Sequence, residues 1–127
     1  MLRLFMIGAG GFIGSILRYV VSGLVQRSLG SFEFPFGTLA VNVGGCFILG
    51  FLVQLAEGYG LFSSDTRAFL FIGILGGFTT FSTFGNETWN LMRDREMWLA
   101  MWNLVAHLIL GLGAVWAGRS IVHAIWR

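Results

Sequence analysis

The chain contains no lysine. A phosphate-binding loop of the G-x-x-x-x-G-K-[ST] type is therefore excluded, and with it nucleotide-driven work of that kind. Charge of either sign is scarce: charged residues make up 11% of the sequence, against about 25% in an ordinary soluble domain. A single cysteine, Cys46, rules out an intrachain disulfide. It lies in an apolar run, where a thiol packs as a small hydrophobe. No nucleophile–base pair and no zinc-ligand spacing is evident, so an enzyme is not expected. No chain of buried acids suggests a proton relay. There is no internal duplication and no low-complexity tail. No cleavable signal is recognisable either, because the first apolar run is too long for one and lacks a small-residue cleavage site.

What is abundant is apolar: 56% of the residues are hydrophobic and mean hydropathy is +0.79. A spanning helix needs about 20 mainly apolar residues. Four segments qualify, at about 4–25, 37–56, 68–92 and 97–122. The connections between them (26–36, 57–67 and 93–96) are short, so residues 1–127 read as one four-helix transmembrane domain, all-α, with little outside the bilayer. Pro35, the only proline, stands just before the second segment, where a missing donor does no harm. Ser64 and Asp65 are candidate N-caps of the third.

Four helices of this size fill their own centre, so a conduit would need more than one chain. Lysine and arginine near helix ends set orientation. Arg3, Arg67, Arg119 and Arg127 fall on one side, and Arg27, Arg93 and Arg95 on the other. So slight a bias either orients the chain weakly or lets it insert both ways up. The second case predicts an antiparallel, dual-topology homodimer.

Glycine is common, with 19 residues, many inside the apolar segments. Most read as small-residue helix contacts. Gly76-Gly77 differs. It opens the run Gly76-Gly77-Phe78-Thr79-Thr80-Phe81-Ser82-Thr83-Phe84 in the middle of the third segment. Each glycine weakens a helix by about 1 kcal/mol relative to alanine, and four hydroxyl residues follow. A helix break at this depth is tolerated only where it is buried in protein or lines a water-filled path. The expectation is a third helix broken at mid-membrane around an ion site.

The remaining polar residues inside the spans form pairs. Thr38 and Asn42 are spaced i, i+4, as are Asn103 and His107, so each pair shares a helix face. Arg18 is the only charge in the first segment, and Glu87 the only acid that falls within a span. Taken singly, each has an ordinary reading. Asn42, Asn103 and His107 can be interhelical glue, Arg18 can snorkel, Glu87 can pair near the surface, and Phe81 and Phe84 can pack. Taken together they offer amide, hydroxyl and imidazole donors, with no deep ring of carboxylates. A phenyl ring has a positive edge. A donor-rich, acid-poor path with ring edges suits a small, hard anion held by several weak contacts.

Three stretches carry a resemblance: Gly-Phe-Ile-Gly-Ser-Ile-Leu-Arg-Tyr (11–19), Gly-Thr-Leu-Ala-Val-Asn-Val-Gly-Gly (37–45) and the run at 76–84. In order and spacing the chain resembles the Fluc (CrcB) family of fluoride channels over essentially its whole length. The resemblance implies a dual-topology homodimer in the cell (inner) membrane, with two antiparallel pores passing fluoride passively out of the cell. It maps the pore onto Asn42, Phe81 and Phe84, with Ser82 and Thr83 beside them. It maps the polar track onto Asn103 and His107, and then onto Gly111 and Val115, whose side chains cannot donate. It maps the vestibule arginine onto Arg18 and the third-helix carboxylate onto Glu87. It also implies a structural sodium ion at the dimer centre, held by backbone carbonyls of Gly76 and Thr79.

Two other readings share some features. A small proton-coupled exporter would also have four helices and weak charge bias, but it would want an acid in the first segment, and none lies between Leu4 and Val25. A non-transporting assembly subunit would explain the glycines and leave the polar break without purpose.

Overall fold

The computed structural model describes residues 1–30 and 33–126. Arg127 of the charge comparison, and Ser31 and Phe32 of the first connection, lie outside them. The described residues are almost entirely helical: α1 (Leu2–Leu29), α2 (Phe36–Gly58), α3 (Ser64–Arg67), a π-helical stretch (Ala68–Leu75), α4 (Gly76–Phe78), α5 (Phe81–Arg93) and α6 (Met97–Ile125). Four spans are long and apolar enough to cross a membrane: Leu2–Leu29, Phe36–Gly58, Ser64–Arg93 and Met97–Ile125. Each reaches beyond its expected limits by one to four residues at one or both ends, because polar end turns continue a helix that hydropathy alone would stop.

Local chemistry sets the ends. Gly30 closes α1 with a left-handed conformation (φ 62°), and its N–H donates to the carbonyl of Arg27. Pro35 precedes α2 at the N-cap. The N-cap of the third span is Ser63 instead of Ser64 or Asp65: its hydroxyl accepts the N–H of Thr66 at 3.2 Å. Beyond α5, the Arg93 guanidinium bonds the Asp94 carboxylate at 2.9 Å and holds that exposed carboxyl below its usual range.

Packing brings the backbones close through glycine. A methyl group on Gly10 would lie 2.6 Å from the Phe69 carbonyl oxygen, and one on Gly14 would overlap the carbonyl oxygen of Ile74. These contacts seat α1 on the π-helical stretch. On the other side of the bundle, Gly50 lies against the backbone of Val115 and Gly118 against that of Phe47, which joins α2 to α6. Large apolar side chains such as Phe5, Phe12, Ile72, Leu112 and Trp116 point outward, each more than 60% exposed. In water that surface would be untenable; in lipid it is the expected exterior.

The break in the third span falls at Thr79–Thr80, two residues past the glycine pair. Thr79 (φ −85°, ψ 158°) and Thr80 (φ −151°, ψ 114°) are both extended. Gly76 and Gly77 are themselves helical. Gly77 is a packing glycine, since a methyl there would come within 2.7 Å of the Gly11 carbonyl oxygen. Gly76 has nothing closer than 3.7 Å.

Candidate functional site

Breaking a helix inside a membrane strands backbone groups, and the neighbours of the break take them up. The N–H of Thr80 donates to Oδ1 of Asn42 at 2.8 Å, and Nδ2 of Asn42 donates to the Thr80 carbonyl at 3.0 Å. One carboxamide thereby replaces both helical partners of Thr80. The Thr80 hydroxyl accepts the N–H of Thr83 at 3.2 Å, which makes it the N-cap of α5. It also lies 3.0 Å from the Thr83 hydroxyl and 3.3 Å from that of Ser82. Arg18, half-buried on α1, points Nη1 at the Thr79 carbonyl, 3.4 Å away.

Beside the break is an open groove of 690 Å³. Asn42, Gly76, Thr79, Phe81, Phe84 and His107 all line it, so six of the residues singled out in the sequence meet there. Cys46 lines it as well. The Phe81 and Phe84 rings lie 5.6 Å apart, and Phe81 is 83% exposed. The Phe84 ring also meets that of His107, tilted by 39° with centroids 4.2 Å apart. Arg18, Ser82, Thr83, Asn103 and Glu87 stand outside the walls of this groove.

Two further polar links join the spans. Thr38, buried on α2, donates its hydroxyl to Oε1 of Glu87 at 2.7 Å. Thr38 and Glu87 line a second cavity, of 450 Å³, with Ser22, Gln26, Asn90 and Asp94. Asn103, fully buried, donates Nδ2 to the Thr88 hydroxyl at 2.9 Å, and that hydroxyl donates to the Phe84 carbonyl at 2.8 Å. Thr88 was not among the residues expected from sequence. One threonine amid a helix carries no mark of the asparagine opposite it.

His107 is tied to backbone. Its Nδ1 lies 2.9 Å from the Asn103 carbonyl oxygen. A carbonyl only accepts, so Nδ1 carries the proton. In the neutral ring Nε2 is then a bare lone pair, buried and without a partner. The ring's one N–H is spent on backbone, and the neutral side chain brings no N–H donor to the groove. The expected i, i+4 pairing of Asn103 and His107 exists, but it runs through a carbonyl.

A carboxamide-capped break, an exposed phenyl ring and a largely apolar groove with a few polar groups, set among four apolar spans, define a small multi-pass membrane protein with an intramembrane site at its third span. The chain belongs to the CrcB-like family: the family model described as "CrcB-like protein, Camphor Resistance (CrcB)" matches residues 5–119. It is 52% identical over 118 residues to the fluoride-specific ion channel FluC of Parabacteroides distasonis, which covers 93% of this chain and 91% of the relative. It is 45% identical over 121 residues to FluC 3 of Methanosarcina barkeri, covering 95% and 90%. FluC of Methylobacillus flagellatus is 41% identical over 122 residues, covering 96% and 95%.

Proposed function

We propose that this protein is a fluoride-specific ion channel that passes the anion down its gradient out of the cell, and that it works as an antiparallel, dual-topology homodimer with two pores in the inner membrane. The observation that carries the proposal is the groove at the break. Asn42, Phe81 and Phe84 all line it, Phe81 is 83% exposed, and its open side is left uncovered by the described residues of the single chain. A second chain facing the opposite way would close it and bring its own phenyl rings. Near-equal arginine counts at the two ends support insertion in both directions. The relatives named as fluoride-specific channels support the choice of ion.

An anion this small holds its water tightly, so several donors and ring edges must replace the shell in steps, none so strong as to trap it. Asn42 supplies one N–H. Thr83 and Ser82 offer hydroxyls at the head of α5, and Asn103 lies further along, one helix away. Arg18 raises the local concentration of anions near the break.

A structural sodium ion fits the same break. The N–H that would close a helical turn on the Gly76 carbonyl belongs to Thr80, and it is bound to Asn42 instead. The Gly76 oxygen is thus left without its helical partner, and among the described residues the Thr79 oxygen has a long contact, 3.4 Å, to Arg18. Hard cations take such oxygens. In a dimer, Gly76 and Thr79 of both chains would hold the ion, which would bind the two breaks together and satisfy their carbonyl lone pairs.

Purified protein in liposomes loaded with fluoride and chloride tests the reading. Rapid fluoride release with little chloride release is expected. Equal release of both ions, or of neither from a folded protein, would sink it.

A further inference from the structure

We infer that the end of α6 and the end of α2 form a headgroup site for a phospholipid bearing a primary ammonium, of the phosphatidylethanolamine kind. A cavity of 540 Å³, away from the groove and from the break, is lined by Gln54, Arg119, Ser120, His123 and Ala124. Its one strong cation, Arg119, is only loosely engaged. Nη1 lies 3.4 Å from Gln54 Oε1 and Nη2 lies 3.3 Å from Glu57 Oε2, with both charged side chains more than 40% exposed. Ser120 and His123 add a hydroxyl and a ring nitrogen beside it, so the cavity offers donors and an adjoining carboxylate together.

Depth decides what such a pair can hold. Arg119 is six residues before the end of α6, about 9 Å along the axis at 1.5 Å per residue. Glu57 is one residue before the end of α2. The Arg119 backbone therefore lies deeper in the bilayer than that of Glu57, while their charged ends meet at 3.3 Å. Tyr59 and Trp126, joined by a hydrogen bond of 2.9 Å from the Tyr59 hydroxyl to the Trp126 carbonyl, mark the interface just outside both. A phosphate over Arg119, Ser120 and His123, which line the cavity, with an ammonium at its rim over Glu57, matches the two sides from which this pair is approached. A phosphate without a cation would leave Glu57 repelling it.

The surface below the cavity favours a lipid over a soluble phosphate. Trp116, Ser120 and His123 stand at i, i+4 and i+7, one stripe of α6. Trp116 is 72% exposed, so the polar cavity runs directly into bare apolar surface at the depth of the acyl chains. That continuity suits an amphipathic ligand.

The test is retention of lipid through solubilisation from vesicles of equal phosphatidylethanolamine, phosphatidylcholine and phosphatidylglycerol, read by native mass spectrometry. The expected result is about tenfold enrichment of the ethanolamine lipid over each of the others, since the choline headgroup cannot donate to Glu57 and the glycerol headgroup has no cation. Arg119→Gln should abolish the enrichment. The double variant Arg119→Glu with Glu57→Arg keeps opposite charges between α2 and α6 but puts the carboxylate in the cavity lining, and it should lose the enrichment too. Equal retention of all three lipids, preference for the glycerol lipid, or full displacement by soluble phosphoethanolamine would overturn the proposal. So would finding Trp116 covered by a second copy of the chain with no lipid retained. None of these outcomes depends on ion flux.

Discussion

The carboxamide of Asn42 and the backbone of Thr80 form a closed pair, with the Thr80 N–H donating at 2.8 Å and the Asn42 Nδ2 donating back at 3.0 Å. The break in the third span rests on this pair. Thr80 is buried. Asn42→Ala would leave a donor and an acceptor unpaired, at a cost of roughly 2–5 kcal/mol. Asn42→Asp with its carboxyl protonated keeps an acceptor for the Thr80 N–H and an O–H donor for the Thr80 carbonyl, so measured at acid pH it should be the milder of the two. Thermal unfolding in detergent, read by circular dichroism, would show the order. An alanine variant as stable as the aspartate variant would refute the pairing.

Thr38 and Glu87 make a similar link one turn earlier on α2. The hydroxyl donates to a carboxylate oxygen at 2.7 Å. Thr38→Val preserves shape and removes the donor, and should destabilise by about 1–3 kcal/mol. Glu87→Gln keeps an acceptor at the same place and should cost less. If denaturation midpoints ranked the two variants the other way, the carboxylate would owe its position to something other than Thr38.

Glycine contacts divide into those with space and those without. Gly14→Ala would drive a methyl into the Ile74 carbonyl, and Gly77→Ala would bring one within 2.7 Å of the Gly11 oxygen. Both should destabilise by roughly 1–3 kcal/mol or more, because backbone cannot yield as a flexible side chain does. Gly23→Ala meets nothing within 4 Å and should be neutral or slightly stabilising. Expression yield and melting temperature of the three variants would check the ranking.

Phe81 and Phe84 carry the channel reading. Phe81→Ile or Phe84→Ile keeps apolar bulk and loses the positive ring edge. Fluoride efflux from liposomes should fall by about tenfold or more, the equivalent of one lost charge-type contact, while size-exclusion chromatography still reports a folded protein. Undiminished efflux from both variants would place the ion path elsewhere.

Much of this was legible in the residues, and some of it was not. The four spans follow from apolar length, a property each segment carries alone. The polar run at 76–84 announced a break, but glycine only permits one. The position at Thr79–Thr80 was settled by where a capping hydroxyl and an opposing carboxamide could both reach. The π-helical stretch at Ala68–Leu75 has no marker in its composition; it comes with the close seat of Gly10 and Gly14 on α1. His107 looked like a donor because imidazole has two nitrogens, and only the fold shows its proton committed to Asn103.

By itself, then, the sequence determined a four-span, acid-poor membrane chain with a polar interruption in its third helix, because hydropathy and local breakers act over a few neighbouring residues. Which asparagine caps the interruption, which threonine meets Glu87 and which ring nitrogen holds a proton were decided by the tertiary structure. Each of those depends on two groups far apart in the chain arriving within about 3 Å of one another.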